Sequence, residues 1–466
     1  MQGHDYDVVV VGGGPAGAAA AARLAGRGLS TVLVDRASFP RDKVCGDFVG
    51  PMALAELDDL GLAGLAAFSA TSMMSDIALH VDADPAAPLR VPRVPGMPGY
   101  GRVIPRLQLD AWIQDAARQA GATVLDGRKA EVVQQAPDAI TVRGHGPEGP
   151  WQLRGRLLLG ADGSNSMVAR TLRGGAPPSA DRMLAVRAYF DDVDGPENLG
   201  DVWFRGDTFP GYHWLFPTAG GSANVGVGML TATYPPSGFS RNLRDMLLRL
   251  IAEDGTARRR LRGARMRGRV LGHPLTTYNP RLPLVGDRIM LLGDAAGLIN
   301  PLNGEGIQYA LHSARWAADV AAGQLASDRL DAAALTGYQA LVRQHLQADM
   351  AMSRLVVQLF RNSNLNAVWL GALRSIAARA QTDPQYAYRV GCVLTGLTGD
   401  ASAVGAGAGA RIFGRAMIPP LVSAARHRHR GPNAPAPGEF RNWAAGTGRV
   451  AAEFAGQLAR ATIGRN

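Results

Sequence analysis

The stretch DVVVVGGGPAGAAAAARLAGRGLSTVLVD, which runs from Asp7 to Asp35, determines the fold class of this chain. Its four valines predict a buried strand, which leads into Gly12, Gly14 and Gly17 in the order G-x-G-x-x-G. Gly12 allows a tight turn, Gly14 lets a pyrophosphate approach the backbone, and Gly17 lets the following helix pack closely against the strand. An alanine-rich helix and a second apolar strand complete a strand–helix–strand pattern that is typical of dinucleotide binding.

The residues around these glycines supply the other contacts that a dinucleotide needs. Pro15 and Ala16 begin the helix, whose N-terminal amides and dipole favour a bound pyrophosphate. Asp35 ends the second strand about 20 residues further on, where it can accept hydrogen bonds from an adenosine ribose. Arg36 follows it directly. The sequence therefore predicts a dinucleotide site formed by these residues and the three glycines.

Length and composition indicate a large globular protein. The chain has 466 residues, of which 47% are hydrophobic, and this length is enough for two or three domains. Its two cysteines, Cys45 and Cys392, predict no disulfide framework and a reducing, cytoplasmic environment. The first residues do not have the pattern of a secretory signal, and no stretch offers the roughly 18 uninterrupted apolar residues that a spanning helix needs.

The net charge of +10 is concentrated near the C-terminus, where nine arginines and two glutamates occur from Ala401 onward. Two interpretations stay open: a solvated arginine-rich surface, or peripheral contact with an anionic membrane. Segments 399–410 and 426–438 are expected to be flexible connections, and 440–463 has the apolar spacing of an amphipathic helix. Nucleic acid is not an expected partner, because no basic motif interleaved with aromatic residues is present.

The segment FPRDKVCGDFVGP, from Phe39 to Pro51, predicts an irregular loop that follows the second strand and lies close to the nucleotide cleft. Two interpretations of Cys45 stay open. It is either a small packed residue or a reactive thiol, since Arg41 and Lys43 would favour its thiolate.

Two further segments supply candidate cofactor contacts. A predicted helix begins near Arg106, which can reach a phosphate or a flavin, or can form an ordinary ion pair at the helix start. An apolar strand beginning at Leu157 leads into Asp162 and Gly163, a turn that can present backbone amides to phosphate or ribityl oxygens.

A third turn lies in RIMLLGDAAGLINPLNGEGI, from Arg288 to Ile307. A strand ends at Gly293 and Asp294, and Asp294 can accept a hydrogen bond from a ribityl hydroxyl. The segment Gly304–Gly306 precedes a helix that is predicted to begin at Ile307. Amides at that helix N-terminus can stabilise negative charge on a reduced isoalloxazine ring.

Residues 183–278 alternate between apolar and polar residues, which predicts an antiparallel sheet with a hairpin around Ala219–Gly221. The segment Tyr212–Pro217 is rich in aromatic residues. It forms either ordinary core or the wall of a ligand cavity.

Three turns follow one another along the chain: the first glycine motif, Asp162-Gly163 and Gly293-Asp294. This order resembles that of flavoproteins with the p-hydroxybenzoate hydroxylase fold. Within that group, PRDKVCGD (Pro40–Asp47), YHWLFP (Tyr212–Pro217) and NPLNGEGI (Asn300–Ile307) resemble the geranylgeranyl reductase family. The resemblance spans about residues 5–340. It implies non-covalent FAD and a lipophilic, often polyprenyl, substrate that is reduced at an isolated carbon–carbon double bond.

The resemblance also implies roles for individual residues. Cys45 is the candidate proton donor at the flavin ring, and Tyr212 is a second candidate. The expected substrate cavity is lined by Phe48, Tyr212, Trp214, Phe216 and Pro217. The expected FAD contacts are Gly12, Gly14, Pro15, Ala16, Gly17, Asp35, Arg36, Cys45, Gly46, Arg106, Asp162, Gly163, Gly293, Asp294, Gly304, Glu305, Gly306 and Ile307.

Three functions stay open at this point. Reduction of a double bond in a polyprenyl or polyketide-like substrate, with hydride from reduced FAD, is preferred. An FAD-dependent monooxygenase is the alternative, because Phe48 stands where the family pattern has a small residue. A redox-neutral cyclase that uses FAD as a scaffold, or a prenyl-lipid carrier, is the third. A second glycine motif is absent from the sequence, so the expected reductant is transiently bound NADPH or a ferredoxin-type protein.

The predicted fold is α/β, with three parts. Residues 1–78, 101–172 and 281–345 are expected to form a Rossmann-like FAD-binding domain. Residues 79–100 and 173–280 are expected to form an inserted antiparallel β-sheet substrate domain, and 346–466 a mostly helical C-terminal region. No metal site is expected.

Overall fold

The computed structural model describes residues 5–82, 88–230, 242–362, 366–397 and 445–452. Its strands, in chain order, are β1 (Tyr6–Val11), β2 (Thr31–Val34), β3 (Phe48–Val49), β4 (Ser72–Met74), β5 (Asp76–Val81), β6 (Pro88–Arg90), β7 (Gly101–Val103), β8 (Thr123–Leu125), β9 (Lys129–Gln135), β10 (Ile140–Gly146), β11 (Gly149–Gly160), β12 (Arg182–Asp191), β13 (Leu199–Phe204), β14 (Tyr212–Thr218), β15 (Ser222–Leu230), β16 (Arg265–Thr276), β17 (Val285–Gly286) and β18 (Ile289–Leu291).

The helices are, in the same order, α1 (Pro15–Ala25), α2 (Pro51–Asp59), α3 (Ala66–Ser69), α4 (Arg106–Gln119), α5 (Met167–Arg173), α6 (Leu243–Glu253), α7 (Gly255–Arg260), α8 (Gly293–Ala296), α9 (Ile307–Ala326), α10 (Ala332–Phe360), α11 (Asn366–Thr382) and α12 (Pro384–Leu394). Residues 445–452 are also helical.

The first sheet is built on the glycine-motif strand. Its main path follows the order β17–β18–β11–β1–β2–β8, and β1, β2, β8, β11 and β18 pair in parallel. Strands β9 and β10 extend it as an antiparallel meander from β11. The four valines of β1 are at most 5% exposed, and α1 packs against β1 and β2. This is the burial on both faces that parallel strands require.

The second sheet has the order β16–β12–β15–β14–β13–β5–β6. Its pairs are antiparallel except for β13 and β5, which run in parallel. One face packs against α6 and α7 through a separate apolar cluster. Near the other edge, β5 and β6 contact α11 and α12, so these two helices cover that part of the sheet.

The predicted α/β fold is confirmed. The predicted strand, helix and second strand of the glycine motif correspond to β1, α1 and β2, and the predicted hairpin joins β14 to β15 through Ala219–Gly221. The helix predicted from Ile307 begins there as α9. The predicted domain limit at residue 78 falls inside β5, and the domain boundaries as such stay predictions.

The described residues include only part of the C-terminal region for which the sequence makes predictions. Residues 445–452 are helical within the predicted amphipathic helix 440–463, and the rest of that segment lies outside the described residues. The predicted connections 399–410 and 426–438 lie outside them too, as does most of the basic region for which membrane contact is one interpretation. None of the described helices combines the length and the apolar character needed to cross a bilayer.

Candidate active site

The turn after β1 is shaped by glycines that leave no room for side chains. Gly12 has a φ of 106°, and a Cβ there would lie 2.3 Å from the carbonyl oxygen of Ala161. A Cβ on Gly17 would lie 1.9 Å from the carbonyl oxygen of Gly12. The first and third glycines therefore let β1, α1 and the end of β11 meet at van der Waals distance.

The N-terminus of α1 is open toward two guanidinium groups. Gly14 caps the helix without a side-chain hydrogen bond, and a Cβ placed on it would be 3.6 and 3.9 Å from the Nη2 atoms of Arg41 and Arg106. Asp110 fixes both cations, at 2.8 Å from Arg41 Nη1 and 2.6 Å from Arg106 Nε. Helix amides and two cations form a donor set that suits the pyrophosphate of FAD.

Asp35 is held by the same turn. Its Oδ2 accepts a hydrogen bond from the Gly13 amide at 2.6 Å, and its Oδ1 accepts one from the Ala37 amide at 2.8 Å. Each carboxylate oxygen has a further lone pair, so the partly exposed Asp35 retains acceptor capacity for a ribose. Arg36 is exposed beside it.

The turn at Asp162 and Gly163 lies directly against the glycine motif. A Cβ on Gly12 would be 2.7 Å from the Asp162 amide nitrogen. The Asp162 side chain itself caps α5, accepting hydrogen bonds from Ser166 Oγ and from the Met167 amide. The carboxylate thus stabilises the helix start and is engaged there, so the backbone of the turn is the part that could contact a cofactor.

Asp294 joins the third turn to the other two. Its Oδ2 is 3.0 Å from Lys43 Nζ and accepts a hydrogen bond from Ser164 Oγ at 3.3 Å. Burial alone would raise the pKa of Asp294, but the Lys43 ammonium, through charge and hydrogen bond, holds it below its usual value. Segments that are far apart in the sequence therefore meet around one carboxylate.

The segment Gly304–Gly306 lies at the N-terminus of α9, next to this carboxylate. A Cβ on Gly306 would be 3.5 Å from Asp294 Oδ1, and Gly304 has a φ of 70°. Burial raises the pKa of Glu305 to about 7, and its carboxylate accepts a hydrogen bond from the Gln308 amide at 3.0 Å. The Gly304 and Glu305 amides already donate to the Asn300 carbonyl oxygen and to Asn303 Oδ1, so what this segment offers a flavin is the positive end of the α9 dipole, which would suit negative charge on a reduced ring.

A cavity of about 290 Å³ begins at these residues and continues between the second sheet and the C-terminal helices. Its polar end is lined by Cys45, Arg106, Asp294 and Gly304–Ile307. The rest is apolar. The lining residues of that part include Phe48, Met74, Ile77, Leu79, Val202, Phe204, Tyr212, Trp214, Phe216, Val356, Phe360, Trp369, Ala372, Leu373, Ile376, Tyr386, Val390, Val393 and Leu394.

The aromatic residues of β14 form one wall of this cavity. Tyr212, Trp214 and Phe216 share one face of the strand and line the cavity, and Phe48 packs 5.9 Å from the Phe216 ring. Pro217, which the sequence predicts beside them, does not line the cavity. Side chains alternate along a strand, so the position after Phe216 faces the other side of the sheet.

The two candidate proton donors both line the cavity. Burial raises the pKa of the Cys45 thiol above its usual value, although Arg106 partly offsets this, so the sulfur carries its proton at neutral pH. Burial also raises the pKa of Tyr212, whose hydroxyl donates to the carbonyl oxygen of Asn303. The Tyr212 proton is therefore already engaged.

Two features of the site were not anticipated from the sequence. The first is Asp47, which is buried beside Cys45 and hydrogen-bonded to Tyr189 and Asn224. Its position in the motif PRDKVCGD was a signal, since a carboxylate in a cleft loop is a candidate functional group.

The second feature is the wall formed by α11 and α12. Trp369, Leu373 and Ile376 recur at helical spacing on α11 and line the cavity, as do Tyr386 and Val390 on α12. That spacing was readable in the sequence, but it indicates only a buried face and not which surface covers it.

Comparison with known proteins supports the assignment of the cofactor. Residues 5–340 match the model of a family described as FAD binding domain. The menaquinone reductase of Mycobacterium tuberculosis is 36% identical over 329 residues, which cover 67% of this chain and 76% of that protein. The geranylgeranyl diphosphate reductase of Rhodobacter capsulatus is 29% identical over 70% of this chain and 77% of its own length.

A solved structure supports the fold. The geranylgeranyl bacteriochlorophyll reductase-like protein of Thermoplasma acidophilum superposes with a TM-score of 0.68 and 23% sequence identity. The match covers 78% of this chain and 90% of that one.

Proposed function

This chain belongs to the geranylgeranyl reductase family of FAD-dependent oxidoreductases, and we propose that it reduces a carbon–carbon double bond in the polyprenyl chain of a lipophilic substrate. The observation that carries the proposal is the continuous cavity that joins the glycine-rich start of α9 to an apolar wall on α11 and α12. A polyprenyl chain is long, apolar and flexible, and this cavity offers it aromatic and aliphatic contacts along its length.

The names of two relatives support the substrate class. They are a menaquinone reductase and a geranylgeranyl diphosphate reductase, and both of these named substrates carry polyprenyl chains. Their polar groups differ, a quinone in one and a diphosphate in the other. The part they share is the isoprenoid chain, and we propose that this chain is the part that the cavity binds.

In this proposal, bound FAD supplies the hydride, and the protein supplies position and charge. The Arg41 and Arg106 guanidinium groups and the first amides of α1 would hold the pyrophosphate. Lys43 and Asp294 would orient the ribityl chain, and the dipole at the N-terminus of α9 would favour negative charge on the ring. Each of these groups is already paired or helix-anchored, so little reorganisation is needed at binding.

Cys45 would supply the proton to the substrate. It lines the cavity at its polar end and keeps its proton at neutral pH, since burial raises its pKa. The Tyr212, Trp214 and Phe216 side chains would pack against the polyprenyl chain of the substrate near this end and exclude water. An isolated double bond is unreactive, so holding proton and hydride donors on it in a dry cavity would provide most of the acceleration.

A reduction assay under anaerobic conditions tests the proposal. The purified flavoprotein, reduced with dithionite, is mixed with geranylgeranyl diphosphate or menaquinone, and the products are analysed by mass spectrometry. Reduction of the chain predicts a gain of two hydrogens per reduced double bond, located in the prenyl chain by fragmentation because reduction of a quinone ring also adds two hydrogens, together with reoxidation of the flavin. Unchanged substrate under these conditions, with an oxygen atom incorporated once air is admitted, would instead identify a monooxygenase.

The reductant is a separate question within the proposal. Dithionite bypasses the physiological donor, so a positive result does not depend on it. NADPH and a reduced ferredoxin-type protein can then be compared by the rate at which each bleaches the flavin absorbance.

A further inference from the structure

Asp47 is a buried acidic residue at the end of the loop that joins β2 to β3. It is fully buried, lies two residues after Cys45, and has a φ of 62°, which is unusual for a residue other than glycine. Its Oδ2 accepts hydrogen bonds from the Tyr189 hydroxyl at 2.5 Å and from Asn224 Nδ2 at 2.7 Å. Its Oδ1 has no hydrogen-bond partner among the residues that the structure describes. A buried, half-satisfied carboxylate is costly, and a function would account for it.

Three contacts connect this carboxylate to Cys45. The Asp47 amide donates a hydrogen bond to the Cys45 sulfur. Asn224 Nδ2 bridges the two residues, because it donates both to the Cys45 carbonyl oxygen and to Asp47 Oδ2, each at 2.7 Å. Trp214 Nε1 donates to Asn224 Oδ1 at 2.9 Å, which fixes the orientation of the bridging amide. The sulfur and the carboxylate are therefore held in one rigid unit.

The charged and titratable groups around Asp47 come from several elements. Tyr189 and Arg187 face it from β12, Arg106 faces it from α4, and Cys45 lies on its own loop. Burial raises the pKa of Asp47 to about 6, although the Tyr189 and Asn224 hydrogen bonds and the two arginines act against this rise. Near neutral pH, a change in any of these hydrogen bonds or charges therefore alters the ionisation of Asp47 and with it the charge beside Cys45.

We propose that Asp47 is a positioning residue for Cys45, and that the charge on its carboxyl sets how readily the Cys45 sulfur releases its proton into the cavity. This inference rests on the proposed function for its role in turnover. The effect on the thiol itself does not depend on any substrate. An ionised Asp47 opposes a thiolate beside it by like-charge repulsion, and a protonated Asp47 removes that repulsion.

In the proposed step, the Cys45 Sγ–H bond breaks, its proton forms a new C–H bond at one alkene carbon, and the electron pair stays on sulfur. The other alkene carbon receives hydride from two-electron-reduced FAD, which is thereby oxidised. The thiolate is stabilised by the Asp47 amide and by Arg106 until it regains a proton from solvent after the product leaves.

The test measures the thiol directly in the FAD-loaded enzyme without substrate. The rate of Cys45 alkylation by iodoacetamide is followed by peptide mass spectrometry as a function of pH, since only the thiolate reacts. Asp47→Asn keeps the shape and the backbone donor but removes the charge. We expect it to accelerate Cys45 alkylation at pH 7.5 on the order of tenfold, which corresponds to one pKa unit.

Tyr189→Phe is a second variant that should act in the same direction with a smaller factor, because it removes a hydrogen bond that stabilises the ionised Asp47. Asp58→Asn is the control, because it removes the same charge at an exposed position on α2 and is not among the groups that face Asp47. This control should leave Cys45 alkylation unchanged. Cys392, which is fully buried, reports any general opening of the structure and should stay unreactive throughout.

The two proposals fail in different ways. Equal Cys45 alkylation rates in the wild type, Asp47→Asn and Tyr189→Phe would overturn the role of Asp47, whatever the enzyme reduces. An accelerated alkylation combined with no reduction of any polyprenyl substrate would leave the coupling intact and overturn the proposed function. With both correct, turnover of the wild type falls as the pH rises through the pKa of Asp47, and Asp47→Asn loses that dependence.

Discussion

The α11 wall offers a direct test of how the substrate lies in the cavity. Ala372 of α11 is 5% exposed and lines the cavity, as do Leu79 and Phe204 of the second sheet. Replacing it with phenylalanine fills space there with about the volume of one isoprene unit. A chain that extends to this wall would have to withdraw that unit from the cavity, whereas a shorter chain would bind as before.

The expected loss follows from the buried area. Each buried methylene contributes about 0.8 kcal/mol, so the five carbons of one isoprene unit represent ~4 kcal/mol, which is on the order of 10³-fold in kcat/KM. The assay compares kcat/KM for geranylgeranyl and geranyl substrates, with the flavin spectrum as a check of folding. We expect Ala372→Phe to reduce the value for the longer substrate by this order and to leave that for the shorter one within a few-fold.

Ala378→Phe is the matched control for this substitution. Ala378 lies on the same helix but is exposed to solvent, so a phenylalanine there carries the same cost in helix propensity without entering the cavity. A parallel decrease for both substrates in Ala372→Phe, or no decrease for either, would refute the inference that the chain runs along α11.

Three further outcomes are expected. Asp294→Ala should weaken FAD retention, because it removes the acceptor that Lys43 orients; a full FAD-to-protein absorbance ratio after gel filtration would contradict the placement of the ribityl chain. Cys45→Ala should retain FAD yet lose most of its turnover, and unchanged product formation would exclude the thiol as proton donor. Folding raises the pKa of Asp47 from 3.8 to about 6. The protonated carboxyl therefore contributes about 3 kcal/mol of stability below pH 4, and this contribution is lost as the pH rises through 6. The unfolding free energy of Asp47→Asn, measured in denaturant, should therefore increase relative to that of the wild type as the pH rises from about 4 to about 6. A difference that stays constant over this pH range would refute the raised pKa.

Much of the cofactor side could be predicted from the sequence because its signals are local. Gly12 and Gly17 are required by backbone contacts that a Cβ would violate, and this requirement leaves a fixed spacing in the chain. The turn before α5 and the segment before α9 are local signals for a different reason, because Gly163 and Gly304 have φ values of 79° and 70°, a conformation that favours glycine. Each motif encodes its own short piece of backbone, and their order in the chain was enough to indicate the fold.

The substrate side was harder to predict, because its signals are not local. On its own, the aromatic segment of β14 was compatible with core as well as with a cavity wall, and only the presence of α11 and α12 along the same cavity decides for the cavity. Pro217 illustrates the same limit, since the strand register and not the motif determines which side chains face the ligand.

The sequence by itself determined that this chain has a dinucleotide-binding sheet, where its three cofactor turns lie, and which family it resembles. Only the tertiary structure decided that Asp47 and Asn224, 177 positions apart in the chain, form one unit with Cys45. It alone also revealed that two C-terminal helices complete the cavity. The physical reason is that burial and charge coupling depend on distances between segments, and a pattern of residues along one chain does not contain those distances.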